Sequence, residues 1–195
     1  YKSEAYSDDN PVGELWVNIT KAVSLDFYCN LTNLKITVVD ATGNKIPDVK
    51  LFLKPDNKTL TTAMNGSAVA HSLLSNINYD LNASRYDEQF NTTTIHPLPA
   101  KDWFNVTIVC PTLRLQLNVT DANGDPLDNA VVTVHELMGG LYCEGNTDEG
   151  IVSLNCSFGK YTAKVYVEGV KINETQIDLF QNRNVSIYCR YYGLT

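Results

Sequence analysis

The chain has 195 residues, of which 44% are hydrophobic and 19% are charged, and its formal net charge is −7. This length accommodates one large domain or two small ones, and the negative charge argues against nucleic acid or an anionic membrane surface as a partner. No apolar run approaches the roughly 18 residues of a membrane span. The chain begins at Tyr1 rather than Met, which is expected after removal of a signal peptide or trimming.

Residues 1–28 contain a long alternating pattern. Every second residue from 15 to 27 is apolar, with Lys21 as the one exception. These apolar residues are Leu15, Val17, Ile19, Val23, Leu25 and Phe27. Such alternation predicts a β-strand with one apolar face. The strand would span roughly 43 Å, well beyond a usual strand of about five or six residues. The polar lead YKSEAYSDDNP is expected to serve as a hinge or an exposed tip.

The apolar face of a strand of this length must be buried against other residues, and the sequence is compatible with two arrangements. The strand lies along the chain's own domains, for example as an extra edge strand, or it enters a neighbouring molecule that lacks a strand. In the second arrangement it is a donor strand. A head-to-tail contact of this kind that does not close on itself produces a filament.

The rest of the chain contains an internal repeat. NVTIVC at 105–110 recurs as NVSIYC at 184–189, and a weaker copy, SLDFYC, occupies 24–29. At an offset of 81 residues, LKITVVDATG at 34–43 aligns with LQLNVTDANG at 115–124. The repeat predicts two domains, 29–109 and 110–195, that follow an N-terminal tail at 1–28.

Each repeat begins with a strand and a turn. Leu115, Leu117 and Val119 alternate with polar residues, which predicts one buried and one exposed face. DATG and DANG are turn sequences, and the next strand is expected to complete a hairpin. Residues 78–99 show no clear alternation. Elsewhere the chain alternates with period two, and it has no long stretch of helical periodicity. The sequence therefore predicts an all-β fold of two tandem Ig-like β-sandwiches preceded by an extended N-terminal strand.

Asn-X-Ser/Thr triplets, the acceptor sequons of N-glycosylation, are far more frequent than the about 3 that chance predicts. They begin at Asn18, Asn30, Asn57, Asn65, Asn82, Asn91, Asn105, Asn118, Asn155, Asn173 and Asn184. The excess predicts a heavily N-glycosylated, secreted protein. The alternative is that Asn and Thr are simply common in this composition.

Five cysteines leave one without a partner. Cys143 and Cys156 flank the turn NTDEG, so they are expected to face each other across a hairpin and form a disulfide. Cys29 opens the first repeat and Cys110 closes it, and these two are the second expected pair. Cys189 is then free or bonded to another subunit. The alternative is a set of reduced, buried thiols.

Catalytic, metal and cofactor sites are not predicted. His71, His96 and His135 are separated, and no nucleophile, metal or phosphate-loop motif occurs. DANGDPLD at 121–128 resembles a partial calcium loop, but its Gly and distal Glu are out of place, so a turn is the better interpretation. Trp16 and Trp103 could form a sugar platform, although strand aromatics more often fill cores. N-linked glycans are the only attached group expected.

The string V-x-D-A-x-G-x-x-(I/L)-x-x-(A/V)-x-(V/L)-x-(V/L), at 38–53 and 119–134, resembles the opening hairpin of carboxypeptidase-regulatory-like domains. The resemblance implies small, seven-stranded, transthyretin-like sandwiches of secreted and surface proteins. Together with the alternating segment 15–27 and the sequons, it makes the chain similar to the subunits of archaeal surface threads. These are thin, glycosylated filaments whose subunits exchange an N-terminal strand.

The thread resemblance implies a structural subunit of an extracellular, pilus-like filament on the cell surface. It would be assembled head to tail from copies of itself by donor-strand complementation, and it would not be an enzyme. Two alternatives stay open. One is a monomeric cell-surface adhesin that binds other cells or surfaces, and the other is a pair of accessory domains from a secreted enzyme.

Overall fold

The computed structural model describes residues 2–7, 10–18, 20–21, 24, 26, 29–98, 103–137 and 139–190. All of its regular elements are β-strands, which confirms the predicted all-β class. Across this part of the chain, no helix is long and apolar enough to cross a membrane. The chain divides into two compact units, the first containing most residues up to 109 and the second residues 110 onward.

The N-terminal residues form a hairpin that the sequence pattern did not predict. Strands β1 (Lys2–Ser7) and β2 (Asn10–Trp16) pair antiparallel, with Lys2 opposite Trp16. The Lys2 ammonium lies 2.9 Å from the Glu14 carboxylate. Val12 is buried, and its carbonyl accepts a hydrogen bond of 2.9 Å from the backbone N–H of Asn30. The polar lead is therefore paired as a strand, and the N-terminal part of the alternating segment belongs to β2.

The first sandwich contains seven strands. In chain order they are β3 (Leu31–Val39), β4 (Lys50–Lys54), β5 (Lys58–Thr61), β6 (Ser67–Leu74), β7 (Tyr79–Arg85), β8 (Glu88–Ile95) and β9 (Trp103–Val109). One sheet has the order β6-β3-β9 and the other β5-β4-β7-β8. The central strand β3 pairs antiparallel with β6 and parallel with β9.

The second sandwich repeats this arrangement. Its strands are β10 (Thr112–Thr120), β11 (Val131–Glu136), β12 (Leu141–Asn146), β13 (Ile151–Ser157), β14 (Gly159–Val167), β15 (Val170–Leu179) and β16 (Arg183–Tyr188). The sheets have the orders β13-β10-β16 and β12-β11-β14-β15. The strand β10 is parallel to β16, as β3 is to β9.

Period-two alternation places one row of each strand in a core. In β3, Leu34, Ile36 and Val38 are fully buried, and Leu51 and Leu53 of β4 oppose them from the facing sheet. In the second sandwich the aligned strand β10 buries Leu115, Leu117 and Val119 in one cluster with residues of both sheets. The structure confirms the buried row that alternation predicted for β10, and the aligned strand β3 has the same row.

The expected hairpin after each repeat's first strand is wrong. The strands β3 and β4 lie in different sheets, as do β10 and β11, and only isolated bridges, Val39 with Lys45 and Thr120 with Pro126, follow the turns. The turns themselves form as expected, with Gly43 and Gly124 both at φ 91°. The chain crosses between the sheets at these turns, so the apolar rows of the two strands face each other across the core.

Buried threonines hold each crossing in place. Thr62 accepts a hydrogen bond from the backbone N–H of Val49 and donates to the carbonyl of Ile46, both at 2.9 Å. In the second repeat, Thr147 accepts from the N–H of Ala130 at 2.9 Å and donates to the carbonyl of Leu127 at 2.6 Å. The two threonines satisfy backbone groups that the sheets leave unpaired at this point.

Residues 78–99 contain β7 and the strand β8, although the sequence showed no clear alternation there. Tyr79, Leu81, Ala83 and Arg85 form the buried row of β7. The pattern was missed because the row ends in an arginine and the exposed row of β7 contains small polar residues, so the apolar contrast is weak.

Candidate functional site: an open edge of the first sandwich

The two sheets of each sandwich differ by one strand. In the first sandwich β5 and β6 lie in contact, so the sheets meet along that side. Among the described strands, the four-stranded sheet therefore has one more strand on the opposite side, and none of the three-stranded sheet's described strands lies beyond β9 to face β8. We call this side, formed by β8 and β9, the open edge.

The inward side chains of the open edge are only partly covered. Phe104 and Val106 of β9 pair with the fully buried Leu34 and Ile36 of β3, yet both are half-buried. Asn91 and Thr93 share the inward face of β8 with the buried Ile95, and they too are half-buried. The open edge therefore presents the unpaired side of the edge strand β9 and a partly exposed inner row, the features to which an added strand binds.

The corresponding side of the second sandwich is held together. Asn173 of β15 donates its side-chain N–H to the carbonyl of Tyr188 in β16 at 2.5 Å. Arg183 donates to the carbonyl of Asp178 at 2.7 Å, across the short connection between the two strands. The first sandwich has seven residues, 96–102, between β8 and β9, of which 99–102 lie outside the described residues.

Most of the predicted donor strand lies outside the described residues. The residues concerned are Ile19, Val23, Leu25 and Phe27. Leu15 lies in β2 and Val17 follows it, and both are half-buried. The remaining described residues between β2 and β3, at 18, 20, 21, 24, 26, 29 and 30, belong to no strand and are exposed. The donor-strand assignment stays a prediction.

All eleven predicted glycosylation sites reach the surface. Seven are exposed, namely Asn18, Asn30, Asn57, Asn65, Asn105, Asn155 and Asn184, and the half-buried ones are Asn82, Asn91, Asn118 and Asn173. Accessibility is required for modification but does not demonstrate it, so the glycans stay a prediction.

Cys143 and Cys156 come together, although not across a hairpin. They lie on β12 and β13, which belong to facing sheets, and their Sγ atoms are 3.4 Å apart as free thiols. Their hydrogen bond lowers the pKa of Cys143 and, with burial, raises the pKa of Cys156. This placement agrees with the expected pairing, which requires oxidation of the two thiols.

The other three cysteines are also free thiols. Cys29 is exposed, whereas Cys110 and Cys189 are fully buried just after β9 and β16. Burial raises the pKa of Cys110 to about 11. Cys29 is exposed and Cys110 is fully buried, and the two thiols are not bonded in this structure. The disulfide between them stays a prediction.

The remaining polar candidates have structural partners. The carboxylate of Asp121 accepts hydrogen bonds from the N–H groups of Asn123 and Asp125, as expected of a turn. His71 and His96 lie near the side-chain oxygens of Asn33 and Asn78. Within the described ranges, no group of three or more His, Cys, Asp and Glu side chains is placed to hold a metal ion.

The unequal sheets are the main feature that sequence reasoning missed. A signal for it does exist. NTTTI at 91–95 and NETQI at 173–177 place Asn, Thr and Ile at the same positions, on the edge strands β8 and β15. A row that is polar at one end and apolar at the other indicates a strand that is only partly covered.

Comparisons with known proteins support the fold. No protein-family model matches the chain, and no curated protein is significantly similar in sequence. The Bacillus anthracis TIE protein has a similar structure, with 17% identity and a TM-score of 0.50 over 84% of this chain and 34% of that one. The chain thus spans 34% of the TIE protein's length, and the likeness shows a shared fold alone.

Two pilins were also found, at lower TM-scores. The shaft pilin SpaA from Lactobacillus rhamnosus GG is 12% identical, with a TM-score of 0.34 over 85% of this chain and 100% of that one. A streptococcal ancillary pilin is 14% identical, with a TM-score of 0.34 over 95% and 73%.

Proposed function

We propose that the chain is a structural subunit of an extracellular, glycosylated filament in which the N-terminal strand of one molecule enters the open edge of the next. The observation that carries this proposal is the half-buried inner row of β8 and β9, beside which no described strand lies. The alternating segment after β2 supplies an apolar strand for such a place. No catalytic activity is part of this proposal.

The chemistry of the two partners is complementary. Phe104 and Val106 offer partly exposed apolar surface to the incoming side chains. Burial of Ile19, Val23, Leu25 and Phe27 would contribute roughly 1.5–3 kcal/mol each before the cost of ordering the strand. Lys21, which interrupts the apolar row, is compatible with the polar Asn91 and Thr93 of the β8 wall.

Strand donation requires that one sequon, at Asn91, carries little or no glycan. Asn91 lies on the inner row of the open edge and is half-buried, so a glycan there would obstruct an incoming strand. The proposal therefore requires low glycan occupancy at Asn91 in assembled material. Asn105 lies on the outer face of the edge strand β9, so its glycan is compatible with strand donation when it extends over that face and not beside the strand edge.

Donor variants test the proposal directly. Leu25→Asp places a charge on the inner row of the donor strand, whereas the neighbouring Ser24→Asp places it on the outer row. We expect fibres in negative-stain micrographs of the wild type and of Ser24→Asp. Leu25→Asp should show only unassembled particles, even at about ten times the concentration at which the wild type forms fibres. The reason is that burying an unpaired carboxylate costs about 2 kcal/mol or more.

Acceptor variants provide the reciprocal test. Val106→Asp alters the inner row of β9, and the matched control Val109→Asp alters its exposed row and leaves every sequon intact. Only Val106→Asp should prevent fibre growth, with its β-sheet circular dichroism retained. A chain lacking residues 1–28 should stay particulate and gain thermal stability on addition of a 15–28 peptide. Equal fibre formation by all variants would exclude strand donation into the open edge.

A monomeric cell-surface binding module is the second candidate. The observation that favours it is the exposure of large aromatic side chains, 70% for Trp16 and 59% for Tyr6, on the N-terminal hairpin. Wild-type protein that shows only particles by microscopy, at every concentration, would favour this module over the filament.

A further inference from the structure

The outer face of the sheet β6-β3-β9 carries a preorganised aromatic side chain. Trp103 of β9 is 43% exposed. Its ring meets the ring of His71 edge-on, at 5.8 Å between centroids. The Nδ1 atom of His71 is 3.2 Å from the side-chain oxygen of Asn33, the residue that pairs with Trp103 across the sheet. The indole is thus held in position while much of its surface stays open.

A predicted glycosylation site lies on the same face and the same strand. Asn105 follows Trp103 by two residues, so both side chains project from the outer face, about 7 Å apart along the strand. Asn105 is exposed, and its cross-strand partner is the exposed Lys35. A sugar attached to Asn105 therefore begins within reach of the Trp103 ring.

We infer that the first sugar of a glycan on Asn105 packs its C–H face against the indole of Trp103. An aromatic face with a fixed orientation favours such packing, because the ring loses little freedom when it is covered. The contact would hold the glycan along the outer face of β9 and away from its inner row. This inference rests on the glycosylation that the proposed function includes.

The second sandwich contains a natural comparison. Asn184 occupies the aligned position on β16, and the residue two places before it is Asn182. The side-chain oxygen of Asn182 accepts a hydrogen bond of 2.8 Å from the backbone N–H of Arg114. Because no aromatic ring lies two residues before Asn184, its glycan has no equivalent platform on its own strand.

The experiment uses the full chain, glycosylated by its expression host, in a Trp16→Phe background so that Trp103 is the sole tryptophan. Peptide mass spectrometry first measures occupancy at Asn105 and Asn184. Acrylamide quenching of Trp103 fluorescence is then compared between the parent, Asn105→Gln and the matched control Asn184→Gln. All measurements are made on unassembled protein, so they do not depend on filament formation.

We expect quenching to rise about twofold in Asn105→Gln, because loss of the sugar uncovers one face of the ring, and to stay unchanged in Asn184→Gln. An unoccupied Asn105 would overturn the inference together with the glycosylation at that site. An occupied Asn105 with unchanged quenching would overturn the packing alone. If free monosaccharide protects Trp103 equally in the occupied parent and in Asn105→Gln, the intramolecular contact is rejected, because a ring covered by its own glycan has no free face for external sugar.

Discussion

At the scale of single residues, the two repeats share a glycine that no other residue can replace without a clash. The backbone N–H of Val38 donates to the carbonyl of Gly66 at 2.8 Å, and Val119 donates to Gly150 at 2.7 Å. Gly66 has φ 67°, and a Cβ atom there would lie 2.8 Å from the carbonyl oxygen of Val38. The glycine thus allows a loop to approach the end of a core strand closely.

Gly66→Ala and Gly43→Ala form a matched pair, since both positions have positive φ but no atom lies within 4 Å of a Cβ at Gly43. We expect Gly43→Ala to lower the free energy of unfolding by about 1–2 kcal/mol through backbone strain alone. Gly66→Ala should cost a further 1–3 kcal/mol or so, because backbone atoms must shift. Urea denaturation followed by circular dichroism measures both, and equal losses would contradict the close approach.

At the scale of elements, contacts between facing sheets matter as much as pairing within a sheet. The strands β12 and β13 are consecutive, yet they belong to different sheets and bring Cys143 and Cys156 together. A disulfide between them would close a loop of about 14 residues and link the sheets on that side of the second sandwich.

We expect oxidised protein to be more stable than reduced protein by about 3 kcal/mol, because the closed loop has less conformational freedom when unfolded. The measurement is the denaturant midpoint with and without a reducing agent. Cys156→Ala should abolish the difference, whereas Cys189→Ala should retain it. If both thiols of the native oxidised protein still react with a thiol reagent, the pairing does not form.

At the scale of the whole molecule, one sheet of the second sandwich carries exposed sequons on both of its edge strands. In the sheet β13-β10-β16, the two edge strands carry the exposed Asn155 and Asn184, while the central β10 carries the half-buried Asn118. Edge strands present unpaired backbone groups that invite pairing with other chains, and bulky polar groups beside them oppose it.

Loss of the two edge glycans should therefore promote uncontrolled association. We expect Asn155→Gln combined with Asn184→Gln to raise light scattering of the glycosylated protein several-fold, since its sheet edges become accessible. The control, Asn118→Gln, should scatter like the wild type. A similar rise in both variants would show that general solubility, rather than protection of edges, is involved.

Much of the fold was readable from local patterns. The rows Leu34-Ile36-Val38 and Leu115-Leu117-Val119, the DATG and DANG turns, and the two repeats follow from period-two alternation and turn chemistry, which depend on neighbours in sequence. The weak strands β7 and β8 were missed because their apolar contrast is low. The N-terminal hairpin was missed because its residues are largely polar.

The candidate site depended on information that is not local. The sequence by itself determined an all-β chain with two repeats, a long alternating segment near the N-terminus and dense sequons. Only the tertiary structure decided that the first two strands of each sandwich enter opposite sheets and that, among the described strands, the sheets of the first sandwich end unequally beside β8. The reason is physical: alternation fixes which face of a strand is buried, whereas the partner that buries it depends on how two sheets pack.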